Sequence, residues 1–204
     1  MNQIKNIIFD VGEVLLEYRW RQVFYDFGID KENAERMGTN IFDDADGLWH
    51  QFDMGTIEQE DLIAAYCKKY PDDAEAIDWF IRHAEYMPVP RPKVWKMVHR
   101  LKEKGYRLYI LSNYSEILFK KHTQYADFIP EMDGIMVSYM INEAKPDRVI
   151  YKALCDKYHL KPEECIFFDD RAENVQGAID YGMQSKQVLS QDEFLKDLQE
   201  LLDK

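Results

Sequence analysis

The chain has 204 residues, enough for one α/β core with an insertion and too few for two independent full domains. Its 26 lysines and arginines against 38 aspartates and glutamates leave a formal charge of −12, which repels nucleic acid and anionic membranes and so argues against either partner. The 3 cysteines, Cys67, Cys155 and Cys165, lack CxxC spacing, which argues against a disulfide framework or a zinc site, and the lack of a membrane-length apolar run or cleavable leader pattern predicts a cytoplasmic protein.

The first predicted element is a strand over NIIFD, residues 6–10. Its apolar run is continuous, not alternating, as suits a strand covered on both faces. It ends on Asp10, and Glu13 follows across Gly12. Burying an unpaired carboxylate costs several kcal/mol, so Asp10 belongs at an open strand end. Residues 17–90 then carry helical patterns only. TIEQEDLIAAYCKKY has Thr56 and Gln59 at capping-box spacing, DAEAIDWFIRHAEYM follows, and PVPRP closes the stretch. A helical block placed there predicts a cap over the sheet, with the core formed by 1–16 and 91–204.

Beyond the block, RPKVWKMVHRLKEKG carries helix start and stop signals, with proline at its head and Gly105 past its end. Strands are predicted over YRLYILSN (106–113), GIMVSY (134–139) and CIFFDD (165–170). Helices opening at Pro146–Asp147 and running from Arg171 to Tyr181 separate and follow the last two, and QDEFLKDLQELLDK is a tail helix without evident chemistry. Alternation of strand and helix predicts an α/β fold with a parallel sheet.

Ligands of such sheets bind outside the carboxyl ends of the strands. Those ends carry Asp10, Ser112 with Asn113, and Asp169 with Asp170, while Lys145 lies on the loop after the third strand. Carboxylates gathered with a lysine and a hydroxyl suit a hard cation such as Mg²⁺ and a phosphate, because the cation takes oxygen ligands and the lysine and hydroxyl hold phosphoryl oxygens. An aspartate in that company can act as an in-line nucleophile.

The ordered set FDVGEVL, ILSNYS, AKP and FFDDRAENVQGA resembles the four motifs of the haloacid dehalogenase-like hydrolases over essentially the whole chain. The resemblance implies a Rossmann-like core with a helical cap after the first strand. Within the family the chain is similar to small sugar-phosphate phosphatases with an FDxGxV first motif, of the α-glucose-1-phosphate phosphatase kind. It implies Asp10 as nucleophile, Ser112 and Asn113 as phosphate-binding residues, and Lys145 as the group that neutralises phosphate and Asp10. Asp170 would be the principal Mg²⁺ ligand, with Asp169 as second ligand or orienting group, Asp10 shared with the metal, and the Gly12 carbonyl available to it. The substrate implied is a small phosphorylated metabolite, and the oligomeric state is open between monomer and homodimer.

One departure stands out. Phosphatases of this family usually carry a second aspartate, a general acid and base, two residues after the nucleophile, and here that place is Gly12. Glu13 is the nearest replacement, although neighbours in an extended segment point to opposite faces. A slow phosphatase, or one favouring good leaving groups, is expected. Haloacid dehalogenases also lack the second aspartate and attack carbon without Mg²⁺, and a non-catalytic relative that binds a metabolite or protein is the third possibility. In the cap, Tyr18, Arg19, Trp20 and Arg21 fall where a substrate enters, yet Trp20, Phe24 and Phe27 also have the spacing of one buried helix face. Trp49 and His50 read either as cap residues facing the cleft or as packing, Asn174 as a brace for the metal loop and Glu173 as surface.

Overall fold

In a computed structural model, which describes residues 3–204, the first apolar run forms β1 (Asn6–Phe9), and all four of its residues are buried. It lies between β4 (Arg107–Ser112) and β6 (Cys165–Asp169), parallel to both, with Phe9 level with Ile110 and Phe168. β5 (Gly134–Val137) and β7 (Gln184–Gln187) extend the sheet to the order β5-β4-β1-β6-β7, all parallel. The chain builds outward from β1 on one side, then crosses to the other. Asp10 therefore follows the strand at which the winding reverses, the switch point where α/β sheets open a crevice.

Alternation about the β1 pleat sends Ile7 and Phe9 to one face and Ile8 to the other. On the first face Phe9 packs on Phe168 and Phe194, under α6 (Pro92–Glu103) and α10 (Gln191–Asp203). On the second, Ile8 joins Phe167 and Tyr151 under α8 (Arg148–Tyr158) and α9 (Ala172–Tyr181). Coverage on both sides explains why these strands are uniformly apolar. The third predicted strand is shorter than expected: after Val137 the chain tightens into a 3₁₀ turn over Ser138–Met140, which brings the Ser138 hydroxyl to the Tyr114 N–H at 2.8 Å. β7 escaped prediction because QSKQ is an edge strand with no apolar signature.

The insertion holds α1 (Trp20–Phe27), α2 (Lys31–Phe42), α3 (Leu48–Asp53), α4 (Gln59–Lys69) and α5 (Ala74–His83). Phe24 is fully buried and stacks on Phe80 at 4.4 Å, tying α1 to α5. The expectation of helices alone is corrected by a two-stranded antiparallel ribbon at the neck, β2 (Leu16–Tyr18) against β3 (Pro88–Pro90). Three-residue strands, one of them flanked by prolines, leave no periodic signal. The capping box at Thr56 is also absent. Gly55 takes a left-handed φ of 68°, reversing the chain after α3, and the Thr56 hydroxyl donates to the Gln51 carbonyl at 3.0 Å, so Glu58 heads α4 instead.

Candidate active site

Asp10 sits one residue past β1, its backbone N–H bound to the Phe168 carbonyl at 2.9 Å. Its Oδ1 accepts from the Val11 N–H at 2.7 Å and the Ser112 hydroxyl at 2.5 Å, and lies 3.1 Å from Lys145 Nζ. Its Oδ2 takes no hydrogen bond among the described residues. One oxygen is anchored and the other is free to react. Ser112, expected at the phosphate, turns its hydroxyl to Asp10 and positions the carboxylate.

Lys145 is not a solvated loop lysine. It is fully buried, and its Nζ donates to the Leu111 carbonyl at 3.0 Å and to Asp169 Oδ2 at 2.6 Å in addition to its approach to Asp10. Burial works against its charge, but Asp10 and Asp169 more than offset that and hold its pKa above the ordinary value. The expectation for Asn113 as a phosphate ligand changes. Its amide nitrogen donates to the Lys145 carbonyl at 2.9 Å and its Oδ1 accepts from the Lys145 N–H at 2.8 Å, so both ends of the side chain are spent holding the lysine's backbone. The helix that follows, α7 (Glu116–Thr123), begins only after Ser115.

The two acids after β6 divide their work. Asp169 is wholly buried, with Oδ1 accepting from the Arg171 N–H at 2.9 Å and Asn174 Nδ2 at 3.0 Å, and Oδ2 from Lys145. It orients the lysine, and Asn174 donates to both Asp169 oxygens. Glu173 stays at the surface, paired with Arg171. Asp170 is half-buried and its carboxylate accepts no protein hydrogen bond among the described residues. Ligand oxygens of Asp10, Asp169 and Asp170 lie within 4.8 Å of one another. Burial pushes Asp170 up to about 7, with Asp10 and Asp169 adding to the rise. Burial likewise raises Asp10 to about 6, although Lys145 pulls it back. Three converging carboxylates against one ammonium leave negative charge uncompensated, and the oxygen donor set suits a hard divalent cation between Asp10 and Asp170.

The Gly12 position is filled from elsewhere. A Cβ on Gly12 would stand 2.7 Å from Tyr18 Cε2, so the tyrosine ring occupies the space in which a second acid would project. Glu13, the nearest acid in sequence, does not replace it. With a left-handed φ of 53°, it accepts from the Tyr18 N–H at 2.8 Å through Oε1 and from Arg91 Nη2 at 2.8 Å through Oε2, which fastens the neck of the cap. Above Asp10 lies a cavity of about 200 Å³ that includes Ser112, Lys145 and Asp170, and it adjoins a chamber of about 450 Å³ under the cap. Trp20, Phe42, Trp49 and Met87 line the chamber, and Arg21 lies over Trp20 at 4.0 Å and pairs with Glu35. Trp49 and His50 line the inner cavity, and Trp49 also packs on Phe42 at 5.0 Å. Asp53, at the end of α3, lines both spaces, and burial with help from Asp10 pushes it up to about 7. No spacing rule marks Asp53, Tyr18 or Arg91 in the sequence, because the tertiary fold alone brings them to the rim.

A parallel α/β sheet thus gathers acids and a buried lysine at its carboxyl rim, beneath an inserted cap. Residues 4–182 match the haloacid dehalogenase-like hydrolases, and the chain belongs to that family. It is 26% identical over 180 residues to the sesquiterpene phosphatase astK of Aspergillus oryzae, covering 88% of this chain and 87% of the relative. Among solved structures it is similar to a family enzyme of Bacteroides thetaiotaomicron in complex with magnesium and inorganic phosphate, with 24% identity, a TM-score of 0.68 and coverage of 90% and 93%. It is equally similar, at a TM-score of 0.68 and 17% identity over 93% of this chain and 80% of the other, to the L-2-haloacid dehalogenase of Xanthobacter autotrophicus with chloropropionic acid covalently bound. The fold accommodates both, and the side chains have to separate them.

Proposed function

We propose that the chain is a Mg²⁺-dependent phosphatase of a small phosphorylated metabolite with a sugar-like leaving group, acting through an aspartyl-phosphate on Asp10. The observation that carries this reading is the excess of carboxylate over ammonium around Asp10, which attack on a neutral carbon–halogen bond does not require. Asp10, Asp170 and the Gly12 carbonyl would hold the metal, with Asp169 beside them as an orienting group. Bound there, Mg²⁺ offsets the repulsion between an anionic nucleophile and an anionic phosphate. Asp10 Oδ2 attacks phosphorus and the leaving oxygen departs with the electron pair of the broken P–O bond. Lys145 steadies the carboxylate through Oδ1. Water then cleaves the acyl phosphate, returning the carboxylate and releasing inorganic phosphate. In the chamber, the aromatic lining of Trp20, Phe42 and Trp49 suits the apolar edges of a sugar ring, and Asp43 and Asp53 can accept from its hydroxyls.

A panel of sugar phosphates, with one isoprenoid phosphate because of the sesquiterpene phosphatase relative, tests the reading. Phosphate release is expected from a sugar phosphate, to vanish with chelator and to return with Mg²⁺. Chelator-resistant turnover of a haloacid, or binding without release from any member, would overturn it. Metal binding is also expected to release protons. Asp10 at about 6 and Asp170 at about 7 stand above the ordinary carboxylate value of 3.8, so the folded, metal-free protein holds protons that an unfolded chain has lost. Its stability therefore falls as pH rises from 3.8 toward 7. Mg²⁺ displaces those protons, so its affinity should climb over the same range and level off above it. Calorimetry in buffers of different ionisation enthalpy counts the protons, and a pH-independent affinity would contradict the assignment.

A further inference from the structure

The tyrosine above Gly12 ends a chain of hydrogen bonds that leads away from the cavity. The Tyr18 hydroxyl donates to the Tyr114 hydroxyl, Tyr114 Oη lies 2.7 Å from His122 Nδ1, and His122 Nε2 lies 2.9 Å from the Ala84 carbonyl. Tyr114 and His122 are buried and Tyr18 is half-buried. A carbonyl can only accept, so Nε2 carries the imidazole proton. Burial holds the ring's pKa down at about 4, which leaves the ring neutral and Nδ1 with its lone pair. Tyr114 must then donate to Nδ1, and Tyr18 to Tyr114. Tyr18 thus presents only oxygen lone pairs to the space over Asp10 and Gly12.

We propose that Tyr18, Tyr114 and His122 form a proton relay that takes the place of the aspartate missing at Gly12 and serves the hydrolysis of the phosphorylated Asp10. This rests on the phosphatase reading above. Tyr18 is the catalytic residue of the three, because it touches the attacking water; Tyr114 and His122 act through it. As the water oxygen bonds to phosphorus and the P–O bond to Asp10 breaks, one water proton passes to Tyr18 Oη. The Tyr18 proton passes to Tyr114 and the Tyr114 proton to His122 Nδ1. Tyr18 keeps one proton throughout, and the imidazolium then returns the extra proton along the same chain to an oxygen of the released phosphate, which restores the resting direction. The charged groups facing His122 are Glu85 and Lys121, which pair with each other. In the resting direction the chain takes protons from the cavity and gives none, so the leaving group departs unaided. That matches the expectation of a phosphatase favouring good leaving groups.

The test is pre-steady-state hydrolysis of p-nitrophenyl phosphate with Mg²⁺ by wild type, Tyr18→Phe and His122→Gln. Glutamine can still donate to Ala84 and accept from Tyr114, but it cannot take up a proton, so it separates the relay from packing. Both variants are expected to lose about 10²-fold in kcat, within the usual span of proton-transfer catalysis, and to show a p-nitrophenol burst approaching one per site as the acyl phosphate accumulates. A kcat near wild type in His122→Gln, or a fall without a burst in either variant, would overturn the relay. If the wild type releases phosphate and the variants match it, this inference alone fails; if the wild type releases none from any phosphate monoester, the phosphatase reading fails with it.

Discussion

Asp10→Asn is expected to lower kcat by about 10⁴-fold or more, the scale on which loss of a covalent nucleophile is felt, while leaving the chain folded. The amide keeps the side chain's shape and can still accept from the Val11 N–H and Ser112 hydroxyl through its oxygen. It cannot form an acyl phosphate. Removing one of three converging carboxylates also relieves repulsion, since Asp10 contributes to the rise of both Asp170 and Asp53. The variant should therefore bind Mg²⁺ more weakly and lose little or none of its thermal stability at neutral pH in the absence of metal. Phosphate-release kinetics beside a melting curve check both parts. Unchanged turnover would point to a different nucleophile, and unchanged ligand binding with no turnover in the wild type would favour a non-catalytic relative.

Lys145→Met should cost about 3–5 kcal/mol of stability, because it leaves buried carboxylates without their counter-ion. Asp169 has no exposure through which water could compensate, and Lys145 contacts it at 2.6 Å. Methionine fills much of the volume, so the loss reads charge more than packing. The sign with pH follows. Without the ammonium, the carboxyls bind protons more tightly in the folded state than in the unfolded chain, so the variant regains stability as pH falls. Urea titrations at pH 8 and pH 5.5 measure this, with the deficit expected to be smaller at the lower pH. An equal deficit at both would assign the lysine a packing role.

The difference between what could and could not be read from the chain is one of locality. β1, β4, β5 and β6 are visible as short apolar runs because helices cover them on both faces, and the polar residues that end them inherit a shared rim from the parallel topology. Asp10, Ser112, Lys145, Asp169 and Asp170 are therefore legible in the sequence as residues of that rim. Asn113 could be placed but not given its task, since nothing in a sequence says that an amide will clamp the backbone of a lysine 32 residues away. β7 is polar because it is an edge, and the neck ribbon pairs residues about seventy positions apart through three-residue strands. Tyr18 is legible as an aromatic near the entrance, but its place above Gly12 depends on the ribbon. Glu13 is the nearest acid by sequence, but tertiary contacts with the Tyr18 N–H and Arg91 engage its carboxylate.

A single turnover in heavy-oxygen water tests most directly which atom Asp10 attacks. Water attack on phosphorus places the label in inorganic phosphate and leaves the peptide containing Asp10 at its natural mass, which is the result expected here. Label recovered in the Asp10 carboxylate would mean that water attacked the ester carbonyl of a carbon-bound intermediate, and the phosphatase reading would be wrong.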